Sequence, residues 1–184
     1  MNAGTATNSS KAPEFEVAAW LNARGPVSLA ALRGKVVAVY AFQMLCPGCV
    51  SHGIPQAKKI AATFGRGDVE VLGLHTVFEH HAVMGREALE AFVHEYRIDF
   101  PVGIDLPSDS GPVPRTMAKY RMRGTPTLLL IDRRGMLRHQ VFGMADDMQV
   151  GALVAGLVHE DEDRDAGVPQ CDDGGCRIAL SSVT

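Results

Sequence analysis

The segment Val36-Val37-Ala38-Val39-Tyr40-Ala41-Phe42-Gln43-Met44-Leu45-Cys46-Pro47-Gly48-Cys49 runs from seven nearly all-apolar residues into two cysteines separated by a Pro-Gly pair. An unbroken apolar run of this length reads as a β-strand buried on both faces of a sheet. The residues after it, Cys46 to Phe64, read as a helix that Pro55 kinks by withdrawing one backbone donor. A helix opening at Cys46 aims unpaired N–H groups and the positive end of its dipole at that sulfur, which favours thiolate over thiol. Pro47 then occupies the first helical position, where its missing N–H costs nothing. Cys49, one turn further in, is the more shielded sulfur, and the two thiols are spaced to close a disulfide.

Lowering a thiol from pKa about 8.5 to about 7 raises its thiolate fraction at pH 7 roughly fifteen-fold, while nucleophilicity falls about five-fold. The kinetic gain is small. The larger effect is on the leaving group and on the stability of the reduced form, so the helix end tunes redox poise more than raw reactivity.

Working outward, Glu14 to Trp20 reads as a short strand or loop. Val27 to Leu29 reads as a strand ahead of the one-turn segment Ala30 to Arg33. Asp68 to Thr76 is a second buried strand, Gly85 to Tyr96 an amphipathic helix, Phe100 to Ile104 a short strand and Pro112 to Tyr120 a helix. Thr127 to Ile131 and Met136 to Phe142 form a hairpin about the turn Asp132 to Gly135, and Ala145 to Val158 is the last helix. This alternation implies an α/β fold, a central mixed β-sheet flanked by helices on both faces.

The 184 residues, 46% hydrophobic, are enough for one good core. Residues 13–159 are expected to form the domain, 1–12 a flexible N-terminal segment, and 160–184 an acidic linker and cysteine-containing tail. A net charge of −3 with interspersed signs argues against nucleic acid or an anionic membrane as partner. No signal-like or spanning apolar stretch is evident, which reads as a cytoplasmic protein as written, and as a periplasmic one if a signal peptide has been removed. Four cysteines in two close pairs suit a redox or metal role better than a disulfide-stapled scaffold.

The landmarks Pro13-Glu14-Phe15, Ser28 to Val37, Cys46 to Cys49, Phe100-Pro101, Gly124-Thr125-Pro126-Thr127 and Ile131 to Gly135 together resemble a thioredoxin-fold redoxin. The resemblance is to the TlpA-like thiol-disulfide oxidoreductases that border the AhpC/TSA peroxiredoxins. It implies that Cys46 attacks, Cys49 resolves, and Pro126 is a cis-proline facing them, the alternative being an ordinary trans turn proline. Pro47, Gly48, Thr125 and Pro126 would then line the substrate site, Thr125 offering its backbone to a bound polypeptide as an extra strand. Partners would be protein or small-molecule thiols and disulfides. No organic cofactor and no metal is implied.

Several positions depart from that pattern. Leu45 stands where a tryptophan is usual, and Tyr40 stands where thioredoxins bury an aspartate. A phenol of pKa about 10 accepts protons poorly at neutral pH. His52, three residues after Cys49 and so on its helix face, is either a substitute base for the resolving thiol or a partly exposed helix residue. Gln43 and Val39 replace the threonine and proline that peroxiredoxins use to bind peroxide, which counts against the alternative of a thiol peroxidase.

The second pair, Cys171 and Cys176 around Asp172-Asp173-Gly174-Gly175, reads as a structural disulfide, as a shuttle partner for Cys46 and Cys49, or as half of a four-thiolate zinc site. The zinc reading belongs to a further alternative, a non-catalytic module that binds a partner or metal. His80 and His81, with His75 nearby, read as solvated loop residues. Arg121 and Arg123 either place positive charge near the thiolate or simply face solvent.

Overall fold

The computed structural model describes residues 5–160. Seven strands form one sheet in the order β1-β7-β6-β3-β4-β5-β2. They are β1 Thr5–Lys11, β2 Val17–Leu21, β3 Val36–Phe42, β4 Val69–His75, β5 Val102–Asp105, β6 Thr127–Ile131 and β7 Met136–Phe142. The helices are α1 Ile54–Thr63, α2 Arg86–Glu95, α3 Arg115–Lys119 and α4 Asp147–His159. Strands β3, β4 and β5 run parallel, and the remaining pairings are antiparallel.

Every residue of β3 is buried, as its unbroken apolar run requires. Side-chain alternation divides the core. Val36, Ala38, Tyr40 and Phe42 pack with Ile54, Ala57, Leu89, Val93, Val150 and Val154, on the side covered by α1, α2 and α4. Val37, Val39 and Ala41 face the other layer with Leu72, Leu129, Met117 and Tyr120, under α3.

Three local expectations change. Residues 5–11, expected within a flexible segment, form β1 and pair with β7 from Thr5↔Val141 to Lys11↔Met136. The outer edge of β7 offers backbone groups that even a polar chain can satisfy, and polar composition carries no trace of such pairing. Val27 to Leu29 is not a strand. The Glu14 carboxylate instead accepts from the backbone N–H groups of Leu29 and Ala30 at 2.8 and 2.9 Å, closing the turn that Ser28 begins. Pro55 is accommodated not by a simple kink but by a widened turn, Cys49–Gly53, in which the Ile54 N–H reaches back to the Cys49 carbonyl.

His75 is separated from His80 and His81. It ends β4, buried, with its ring 5.4 Å from that of Phe42 and with no partner for Nε2 among the described residues, whereas His80 and His81 are exposed. Asp105, at the end of β5, accepts from the N–H groups of Thr116 and Met117 and from the Thr76 hydroxyl. It thereby ties α3 to the sheet, although burial raises its pKa.

Burial pushes the His75 imidazole down to about 4 from 6.5. The unfolded chain therefore binds the extra proton first, and stability present above about pH 6.5 drains away as pH falls toward 4. At about 1.4 kcal/mol per unit the loss approaches about 3 kcal/mol. Denaturant titrations across this range should show that slope in the wild type and a flattened one in His75→Leu; equal slopes would place the titration elsewhere.

Candidate active site

The register of β3 against β6 sets Ala41 opposite Thr127. This brings the chain leaving β3 and the chain entering β6 to the same end of the sheet. Beyond Phe42, the turn through Gln43 and Met44 leads to Cys46, whose N–H donates to the Gln43 carbonyl at 3.2 Å. Helical turns begin at Pro47 and continue into α1. Cys46 is thus the residue that caps the helix, and its carbonyl accepts from the N–H groups of Cys49 and Val50 at 3.0 and 3.1 Å.

Cys46 and Cys49 are joined in a disulfide, their Cα atoms 5.2 Å apart. The Cys49 N–H also points to Cys46 Sγ at 3.2 Å, the kind of capping contact through which a helix start favours a thiolate over a thiol once a disulfide is reduced. Cys46 is partly exposed and Cys49 fully buried, the asymmetry expected of an attacking and a resolving thiol.

Facing them, Thr125-Pro126 is a cis peptide bond. The Thr125 carbonyl lies 3.5 Å from Cys46 Sγ, within reach of the S–H once the pair is reduced. The Thr127 hydroxyl donates to the Gly124 carbonyl at 2.6 Å and the Gly143 N–H to the Pro126 carbonyl at 2.8 Å, which pins the loop from both sides. A Cβ on Gly48 would stand 3.3 Å from Pro126 Cδ, and one on Gly53 would stand 3.2 Å from Pro126 Cβ. Both glycines let the helix start lie directly against the proline.

Pro47 and Leu45 are exposed on either side of Cys46, Leu45 at 58%, and Met144 is 64% exposed on the loop that also bonds Pro126 through Gly143. The rim is therefore apolar where an aromatic wall is usual. Arg121 and Arg123 are exposed, and the Arg123 guanidinium lies 5.1 Å above the ring of Phe142. Gln43 is buried and committed to structure, accepting from Phe78 N–H and donating to Glu79.

Residues 9–140 match the AhpC/TSA family. The chain belongs to that family. A crystal structure of a thioredoxin-like superfamily protein is 57% identical to it, with a TM-score of 0.81 over 82% of this chain and 97% of the other. A thiol-disulfide isomerase from Corynebacterium glutamicum is 50% identical, with a TM-score of 0.78 over 81% and 97%. The protein DipZ of Mycobacterium bovis is 30% identical over 153 residues, 81% of this chain and 21% of DipZ, so the chain spans about a fifth of that relative's length. This AhpC/TSA member has a thioredoxin-like fold.

His52 Nε2 is 2.6 Å from the Ala145 carbonyl, at the approach to α4. Cys171 and Cys176 lie outside the described residues. Among the described residues no helix is long and apolar enough to cross a membrane, and no cluster of His, Cys, Asp and Glu forms a metal set.

Sequence reasoning missed Gln56. It is 3% exposed, donates to the Ala145 carbonyl and to Asp147, and accepts from the Tyr40 hydroxyl. Its signal was legible in principle, since Gln56 follows Cys49 by seven residues and His52 by four, on one helical face. Tyr40 is driven further from acid chemistry, its phenol pKa raised by burial first and then by the charge of Asp147.

Gly53→Ala should destabilise the AhpC/TSA domain by about 1 kcal/mol because the new methyl presses on Pro126. Gly151→Ala, in open space on α4, should stabilise it by about 0.5–1 kcal/mol. Thermal unfolding of both variants measures the contrast, and a stabilised Gly53→Ala would refute the close packing.

Proposed function

We propose that this chain exchanges disulfides with a polypeptide partner through Cys46 and Cys49. The supporting observation is a partly exposed cysteine at a helix start, its sulfur held by the Cys49 N–H at 3.2 Å and faced by the Thr125 carbonyl at 3.5 Å, with a buried second cysteine behind it. In the reductive direction the Cys46 thiolate attacks one sulfur of the partner's disulfide. A Cys46–partner bond forms, and the other partner sulfur leaves as a thiolate. Cys49 then loses its proton to His52 and attacks Cys46 Sγ; the mixed disulfide breaks, the partner departs fully reduced, and the Cys46–Cys49 disulfide carries the two electrons' worth of oxidation. Run backwards, the same steps oxidise a dithiol.

The apolar rim of Leu45 and Met144 and the partly exposed Thr125 beside Cys46 favour an extended polypeptide over a small thiol. The commitment of Gln43 to Phe78 and Glu79 leaves no hydroxyl where a peroxidase would polarise peroxide. Cys171 and Cys176 are read as either a structural disulfide or a source of electrons for the Cys46–Cys49 pair.

Cys46→Ser should abolish exchange with a disulfide-bonded protein, and Cys49→Ser should accumulate a covalent adduct on Cys46 visible by mass spectrometry. His52→Gln should slow release of that adduct by about tenfold or more at neutral pH. Turnover retained by Cys46→Ser would refute the assignment. An unchanged release rate would remove His52 from the mechanism. The reduction potential of Cys46–Cys49, measured in a Cys171→Ser/Cys176→Ser background, sets the direction of exchange.

A further inference from the structure

Beneath the disulfide runs a chain of polar groups whose donors and acceptors can be assigned without ambiguity. A backbone carbonyl has only lone pairs to offer, so the Nε2 of His52, 2.6 Å from the Ala145 oxygen, must carry the hydrogen. In the neutral ring the bare nitrogen is then Nδ1. The same carbonyl accepts from Gln56 Nε2 at 2.9 Å, and the second amide hydrogen goes to Asp147 Oδ1 at 2.7 Å. Neither acceptor has a proton to give, because Lys59 first and Gln56 second hold the Asp147 carboxyl below its usual range. The Gln56 nitrogen must therefore face them, leaving Oε1 toward the buried Tyr40 hydroxyl, which donates at 2.7 Å.

We propose that Gln56 is a positioning residue for disulfide exchange: it holds the Ala145 carbonyl in place and so locks His52 as the Nε2–H tautomer, with Nδ1 left to take the proton of Cys49. This rests on the reading of His52 as the base. Three elements converge on one carbonyl and one amide. Strand β3 supplies Tyr40, the cysteine-bearing helix supplies His52 and Gln56, and α4 with its approach supplies Asp147 and Ala145. Once His52 is charged, Asp147 faces it across this junction with Lys59 as its other partner, while the neighbouring Asp146 is turned to capping α4. Tyr40 stays neutral, being the donor to Gln56 and buried with a raised pKa. No outside oxidant enters. The proton passes from Cys49 to His52, Cys49 bonds to Cys46, and the partner sulfur leaves.

The test combines histidine ring ¹⁵N spectra of the full chain with the rate at which a Cys46-linked peptide is released. The wild type should show the single Nε2–H signature at His52. Gln56→Leu should show a tautomer mixture and release about tenfold slower at pH 7. Because Gln56→Leu strands the Tyr40 hydroxyl, Tyr40→Phe/Gln56→Leu serves as the folded alternative and should behave alike. Gln56→Glu, which turns a carboxylate toward the Ala145 carbonyl and Asp147, should also slow release. In a His52→Gln background, Gln56→Leu should change release by less than about twofold, since its effect runs through the ring. Equal slowing in both backgrounds, or a pure Nε2–H ring after loss of Gln56, overturns the proposal. If His52→Gln alone leaves release unchanged, the base reading fails; a tautomer mixture in Gln56→Leu would then still uphold the positioning of the ring, and its absence would overturn that too.

Discussion

Backbone pairing between β3 and β6, with Ala41 opposite Thr127, is the constraint on which the site depends. It holds two chain segments, some 80 residues apart in sequence, at one end of the sheet. Only there can the helix that begins after Cys46 meet the Thr125-Pro126 loop. The burial of β3 on both faces makes this pairing hard to slip, because a shift of one residue would exchange the two apolar layers that Tyr40 and Val39 separately face. Two sulfurs and the proline loop keep their spacing only if the strands beneath them do. The central strand supplies that rigidity, and the turn after it supplies the chemistry.

The disulfide site is built with little side-chain bulk on the side that faces Pro126. Gly48 and Gly53 bring the helix start against Pro126, and the Thr125 carbonyl is left facing the outer sulfur. Polarity is concentrated beneath instead. Where thioredoxins bury an acid, Tyr40 donates to Gln56, and the charge sits further out on Asp147 with Lys59. A neutral buried donor avoids the desolvation cost of a buried carboxylate near a sulfur that must itself become negative. The junction instead presents the His52 ring, bonded to the Ala145 carbonyl, one helical turn from the buried sulfur.

Much of the fold was legible in the chain because the signals were local. The bounds of β3, β6 and β7 follow from apolar runs and the Asp132 to Gly135 turn, and the helices follow from periodicity and capping. Residues 5–11 were opaque, since their pairing with β7 satisfies backbone groups and leaves no apolar pattern to read. Val27 to Leu29 misled because its apolar residues look strand-like, while the Glu14 carboxylate, fifteen residues before Leu29, takes the backbone donors a strand would have shared. His75 looked like a companion of His80 and His81, and one strand end separates a buried ring from two exposed ones.

By itself the sequence determined the local arrangement: two cysteines across one helical turn, their order of exposure, the helix end that meets the first, and the sheet that carries them. These follow from nearest-neighbour geometry, in which spacing along the chain is spacing in space. Tertiary structure alone decided the cis form of the Thr125-Pro126 bond, the seating of Pro126 against Gly48 and Gly53, and the junction of Tyr40, His52, Gln56 and Ala145. Each of these joins residues from separate elements whose mutual distance is set by packing, and no periodicity in a single stretch of chain encodes which carbonyl a buried amide will find.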